Sequence, residues 1–135
     1  MINKLFLIVS LFLVSSLGDT YEEKWTVLAK KDVSYKADKD EITLIGNERK
    51  IDKVKISCTQ GSLKLRSITI YYTDDSSKTQ KAKGTGLISK GMSSFAFSLE
   101  KNKTPKKIGF NYEAIGNMLL TKRAKIEILG KRIEE

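Results

Sequence analysis

The sequence predicts an all-β domain, a small antiparallel β-sandwich of about seven to nine strands, and three observations carry that prediction. Apolar residues recur at every second position over short stretches between residues 24 and 129, the periodicity of strands with one covered face. Clusters of turn-forming residues separate those stretches, and the spacing of an amphipathic helix is nearly absent. So many half-apolar strands need a second sheet to cover them, which gives a jelly-roll-like or Ig-like pair of sheets.

At the N-terminus, Met1 to Lys4 form a short basic start, Leu5 to Leu17 an apolar run broken only by serines, and Ser16-Leu17-Gly18 a small-x-small ending. A membrane-spanning helix needs about 20 apolar residues, more than this run supplies. Residues 1–18 are therefore expected to be a signal peptide cleaved after Gly18, with an uncleaved anchor as the alternative. The expected product is a single exported domain, residues 19–135, periplasmic or secreted, with no transmembrane segment once the leader is removed.

Along the domain, Trp25 and Val27 open the first segment, Ile42 and Leu44 mark the second, and Val54, Ile56 and Cys58 the third, with Lys53, Lys55 and Ser57 on the opposite face. Trp25 is expected in the core as the largest apolar body available. Thr59-Gln60-Gly61-Ser62 is expected to be a hairpin loop that sets Cys58 opposite Leu63 and Ile56 opposite Leu65. After Leu65 the apolar set resumes at Ile68, Ile70 and Tyr72, a spacing of three that breaks the alternation. The slip predicts a bulge near Arg66-Ser67, or a bend there from one sheet into the other. Phe95, Phe97 and Leu99, then Ile108, Phe110 and Tyr112, then Ala124, Ile126 and Ile128 form the later segments. Asp74 to Ser77, Lys90-Gly91, Asn102 to Pro105 and Gly116-Asn117 supply turns, Gly84-Thr85-Gly86 a flexible joint, and Glu113 to Thr121 room for a helical turn at most.

These segments carry a resemblance. Trp25-x-x-Leu28, Val33, Asp38-x-Asp40-x-Ile42, Lys53 to Ile56, Gly61, Leu63, Leu65, Gly91, Leu99, Ile108-x-Phe110-x-Tyr112 and Ala124-x-Ile126-x-Ile128-x-Gly130 resemble a family of small exported bacterial proteins that includes the YaaI-type periplasmic proteins. The resemblance implies location and domain type. It brings no catalytic or binding residues, and the paired cysteines of some relatives are missing here.

Composition narrows the function classes. Histidine is absent, which removes imidazole general bases, Ser-His-Asp and Cys-His nucleophiles and the commonest zinc and copper ligands. Cys58, the single cysteine, cannot form a disulfide within the chain. Its place beside Val54 and Ile56 predicts a small buried core residue, with intermolecular pairing as the alternative. Removing residues 1–18 takes away Lys4 and no acid, so the net charge falls from +9 to +8. Export makes nucleic acid an improbable partner for that charge.

Three groups are candidate sites. In the expected hairpin, Lys55 lies opposite Arg66 with Lys53 and Lys64 close by. Like charges directly opposite cost about 0.2–1 kcal/mol, relieved by solvent or by an anion, so Lys53, Lys55, Lys64 and Arg66 are the candidate anion-contact surface. Lys101, Lys103, Lys106 and Lys107 form a second basic loop, and Lys122, Arg123 and Lys125 a third. Asp38, Asp40 and Glu41 could offer carboxylates to calcium, but too few oxygens are in sight for a cation that takes six to eight, so no metal or cofactor is expected. Among the aromatics Trp25, Tyr35, Tyr71 and Tyr112, only Tyr71 is directed outward, where a ring beside polar groups could grip a sugar. The expected function is a non-catalytic binding or interaction module of the envelope, monomeric or weakly dimeric, that meets an anionic surface or a protein. The alternatives are a small glycan-cleaving enzyme using paired carboxylates and an inhibitor of a periplasmic lytic enzyme.

Overall fold

Alternating segments become strands because each buries one row of side chains and leaves the other to water. The computed structural model of the chain describes residues 24–33, 38–115 and 124–133. Nine strands lie within them: β1 (Trp25–Val33), β2 (Asp38–Thr43), β3 (Ile51–Gln60), β4 (Ser62–Tyr72), β5 (Ser77–Lys81), β6 (Leu87–Ser89), β7 (Phe97–Ser98), β8 (Pro105–Ile115) and β9 (Ala124–Arg132). Sheet I has the order β1-β9-β3-β7, and sheet II the order β2-β8-β4-β5 with β6 also on β4. Every pairing is antiparallel. A single 3₁₀ turn, Gly46–Arg49, joins β2 to β3. The expected β-sandwich is thus the observed fold, and among the described residues no helix is long and apolar enough to cross a membrane.

The core lies between the sheets. Val54, Ile56, Cys58, Ile126 and Ile128 from sheet I meet Leu63, Leu65, Ile68, Ile70, Ile108, Phe110 and Tyr112 from sheet II, all buried. Each such side chain stabilises the fold by about 1.5–3 kcal/mol relative to exposure. Phe110 and Tyr112 stack with ring centroids 5.4 Å apart. Both flanks of the sandwich are closed by contacts between sheets. Asp40, on the inward side of edge strand β2, reaches Lys31 of β1 at 3.4 Å. On the other flank Gln80 Nε2 donates to the Ser98 carbonyl at 2.9 Å.

Four expectations meet the structure differently. The phase slip is borne out: the β4–β8 register shifts between Leu65 and Ser67. The hairpin is not, because β3 belongs to sheet I and β4 to sheet II. The chain crosses between layers at Gly61, whose φ of 72° an L side chain rarely adopts and whose Cβ would sit 3.1 Å from the Ala124 Cα. Trp25 and Val27 do not enter the core; a register shift between Val27 and Ala29 turns the start of β1 over, leaving Trp25 half-buried and Val27 44% exposed on the outer face of sheet I. Phe97 and Leu99 are buried as expected, but Phe95 is 65% exposed. The leader, Tyr35, the Gly116-Asn117 turn, Lys122 and Arg123 lie outside the described residues, whereas residues 113–115 continue β8 rather than turning into a helix.

Candidate functional site

The crossing at Gly61 divides the candidate anion-contact residues. Lys53 and Lys55 lie on the outer face of sheet I, and Lys64 and Arg66 on that of sheet II, so Lys55 is not opposite Arg66 and the four do not form one patch. Each pair has local partners of its own. The Lys55 ammonium sits 4.3 Å from the centre of the Trp25 ring, a cation–π contact that covers this half-buried indole. Arg66 reaches Glu113 at 2.9 Å. The loop around Pro105 is also matched: Lys103 meets Glu100 at 3.3 Å and Asp74 at 3.5 Å, Lys106 meets Asp75 at 2.9 Å, and Lys107 meets Glu41 at 3.0 Å.

Two of the acidic candidates, Asp40 and Glu41, have local partners as well, and the Asp38 side chain lies outside what is described. Asp40 closes the flank through Lys31 and accepts the Glu41 backbone N–H at 2.8 Å, while Glu41 turns to the outer face and Lys107. Among the described residues no three metal-ligating side chains come together. Tyr71 is half-buried on the outer face of sheet II, as its position predicts, and Tyr112 is in the core.

A different feature emerges from the β4 bulge. The bulge splits the strand's outer partner in two: β6 pairs residues 62–64, β5 pairs residues 67–71, and Ala82 to Gly86 span the gap. Ala82 N donates to the Arg66 carbonyl at 2.9 Å and Leu65 N to the Gly86 carbonyl at 2.8 Å, one bond on each side of the bulge. On the facing edge of sheet I, residues 92–98 run along β3 without regular pleating. Cys58 N donates to the Met92 carbonyl and Ser94 N to the Ile56 carbonyl, but Ile56 N donates at 3.0 Å to Ser94 Oγ instead of to a backbone carbonyl. That side-chain substitution breaks the alternation, and this is why Phe95 turns outward between Ser94 and the buried Phe97.

Between the two edges lies a cleft of about 350 Å³. Leu65, Ile88 and Phe97 form its buried end, and Phe95, Met92 and Leu87, exposed by 65%, 51% and 50%, form its mouth. No carboxylate lines it, and Lys83 does. Lys81 and Lys90 flank the two loops in sequence, and Lys64 is the cross-strand partner of Leu87. All four lysines are exposed. The polar side chains in the cleft lining are Thr85, Ser93, Ser94 and Lys83. The arrangement can take an apolar group while presenting positive charge around it.

Residues 5–130 match a family model described as Domain of unknown function (DUF2541). The chain belongs to the DUF2541 family. No curated protein and no solved structure matches it. In this DUF2541 chain Lys64 alone of the sequence-derived anion-contact residues stands beside the cleft, and the cleft itself was missed. Its signals were present: the slip after Leu65 that makes the bulge, the glycines that let a loop lie on it, and Ser93-Ser94 interrupting an apolar alternation. Alternation specifies a face, but a serine hydroxyl taking a backbone bond cannot be read from it.

Proposed function

We propose that this DUF2541 chain is an exported envelope protein that works by binding rather than catalysis, and that it docks on anionic lipid through the cleft between residues 82–88 and 92–97. The apolar leader, its small-x-small ending and the resemblance to exported bacterial proteins support the location. The observation that carries the docking is the gathering of Phe95, Met92 and Leu87 at one mouth with Lys83 among them and no carboxylate. Loops that expose apolar side chains beside lysines suit the boundary between acyl chains and headgroups. Each lysine near an anionic surface contributes about 1 kcal/mol, and burying one large apolar side chain about 1.5–3 kcal/mol, so the two terms together support reversible binding.

Co-sedimentation with vesicles tests the proposal. The chain binds vesicles of phosphatidylglycerol and phosphatidylethanolamine and is released as salt is raised, because exposed charges are screened. Phe95→Ser weakens binding about tenfold, the equivalent of 1.4 kcal/mol, and Lys83→Glu lowers it further. Equal affinity for pure phosphatidylcholine, or binding unchanged by both substitutions, contradicts the proposal.

A further inference from the structure

We infer that the outer face of sheet II holds a second binding site, a depression centred on Gly109 that takes an uncharged saccharide ring. The starting point is a glycine that the backbone does not need. Gly109 lies mid-strand in β8 between Glu41 of β2 and Thr69 of β4, and its register is continuous from Lys107 to Asn111 on both sides, with no bulge. Glycine at such a place costs about 0.5–1 kcal/mol relative to alanine. In strand interiors it marks a bulge, a bend or a close approach by another group, and the continuous register leaves no bulge here.

The space left by the missing side chain is occupied only in part. A Cβ at this position would lie 3.3 Å from Tyr71 Cε2 and 3.7 Å from Glu41 Cγ, so the tyrosine ring leans over one side of the glycine. Packing of an aromatic on a strand glycine accounts for that side. The depression continues on the other side, with a volume of about 260 Å³, towards Asn111, Ser67, Thr69 and Thr79. That is below the roughly 300–1,000 Å³ of sites enclosing a drug-sized ligand, so it fits one ring of a longer chain.

The lining selects the ligand class. Thr69 and Thr79 hydroxyls are 2.8 Å apart, so one donates to the other and the acceptor's own hydrogen remains to donate outward. The Asn111 amide adds two donors and an acceptor, and the Ser67 hydroxyl one of each. Of the charged residues in the lining, Glu41 is paired with Lys107 at 3.0 Å, Asp40 turns inward to Lys31 at 3.4 Å, and Lys39 stands exposed on β2 at the edge of the depression. Lys107 also lies 4.6 Å from the centre of the Tyr71 ring. The centre of the depression holds no guanidinium to grip a phosphate or carboxylate and its one lysine, Lys39, lies at the edge, whereas sugar hydroxyls, each donor and acceptor at once, match a wall of hydroxyls and an amide beside an aromatic edge.

Titration of the isotopically labelled chain with cellotetraose and with chitotetraose, followed by NMR, tests the site. Saturable shifts at Gly109, Thr69, Thr79 and the Asn111 side-chain amide are expected for at least one of the two. Asn111→Ala and Thr79→Val each weaken binding at least fivefold with the unfolding midpoint unchanged, while Phe95→Ser leaves sugar binding intact and so separates this site from the lipid cleft. No saturable shift up to about 10 mM of either sugar, shifts confined to other faces, or affinity indifferent to both depression variants would overturn the inference.

Discussion

Cys58 illustrates what a single residue contributes once its face is known. Alternation with Val54 and Ile56 predicts it buried, and it is, with Sγ placed to donate to the carbonyls of Gln60 at 3.2 Å and Gly61 at 3.3 Å where the chain leaves sheet I. Burial pushes its thiol pKa up, with the Gln60 contact opposing in part. The unfolded thiol loses its proton near the ordinary value of about 8.5 while the folded one keeps it, so raising the pH through that window favours unfolding. Stability from this residue is full below the unfolded value and declines above it until the folded thiol ionises. Urea midpoints measured from neutral pH into the alkaline range are expected to fall more steeply for the native chain than for Cys58→Val; parallel curves would contradict the assignment. Phe95 is the opposite case, since its outward turn follows from Ser94 Oγ taking the Ile56 N–H.

At the scale of elements, the β4 bulge joins sequence to cleft. The three-residue step from Leu65 to Ile68 announces it, the bulge divides β5 from β6, and Ala82 to Gly86 close over the gap. Gly86, at a φ of 75°, lies so close to the Leu65 carbonyl oxygen that a Cβ would collide with it. Gly84 has a similar φ of 70° but meets nothing nearer than Phe95 Cε2 at 3.9 Å. Both alanine variants should lose about 1–2 kcal/mol from backbone strain, and Gly86→Ala more than Gly84→Ala because of the collision. Equal losses in denaturant unfolding would show that the loop does not rest on the bulge as described. The strands and most inward residues were legible because burial imposes period two. Their assignment to layers was not, because the same pattern fits a hairpin and a crossing equally well. The crossing at Gly61 is what separates Lys53 and Lys55 from Lys64 and Arg66. Trp25 and Val27 were misplaced for a related reason, since the shift before Ala29 inverts a strand end too short to show its own phase break.

For the molecule as a whole, exposed apolar side chains gather at two places among the described residues: Phe95, Met92 and Leu87 at the mouth of the cleft, and Val27 and Ile45 around a second depression that Glu48 and Arg132 also line. Asp40–Lys31 seals one flank, whereas on the other Gln80–Ser98 closes only part of the edge and the cleft opens beside it. Lys103, Lys106 and Lys107 are each matched by nearby carboxylates, so this basic loop does not by itself mark a face for a partner. In the proposed docking that part falls to the cleft, which combines Lys83 with exposed Phe95, Met92 and Leu87. The most direct test is NMR of the chain on anionic nanodiscs that carry a spin-labelled lipid. Paramagnetic broadening concentrated in residues 82–96 is the predicted result; broadening centred on Trp25 and Lys55, or none on any face, would contradict it.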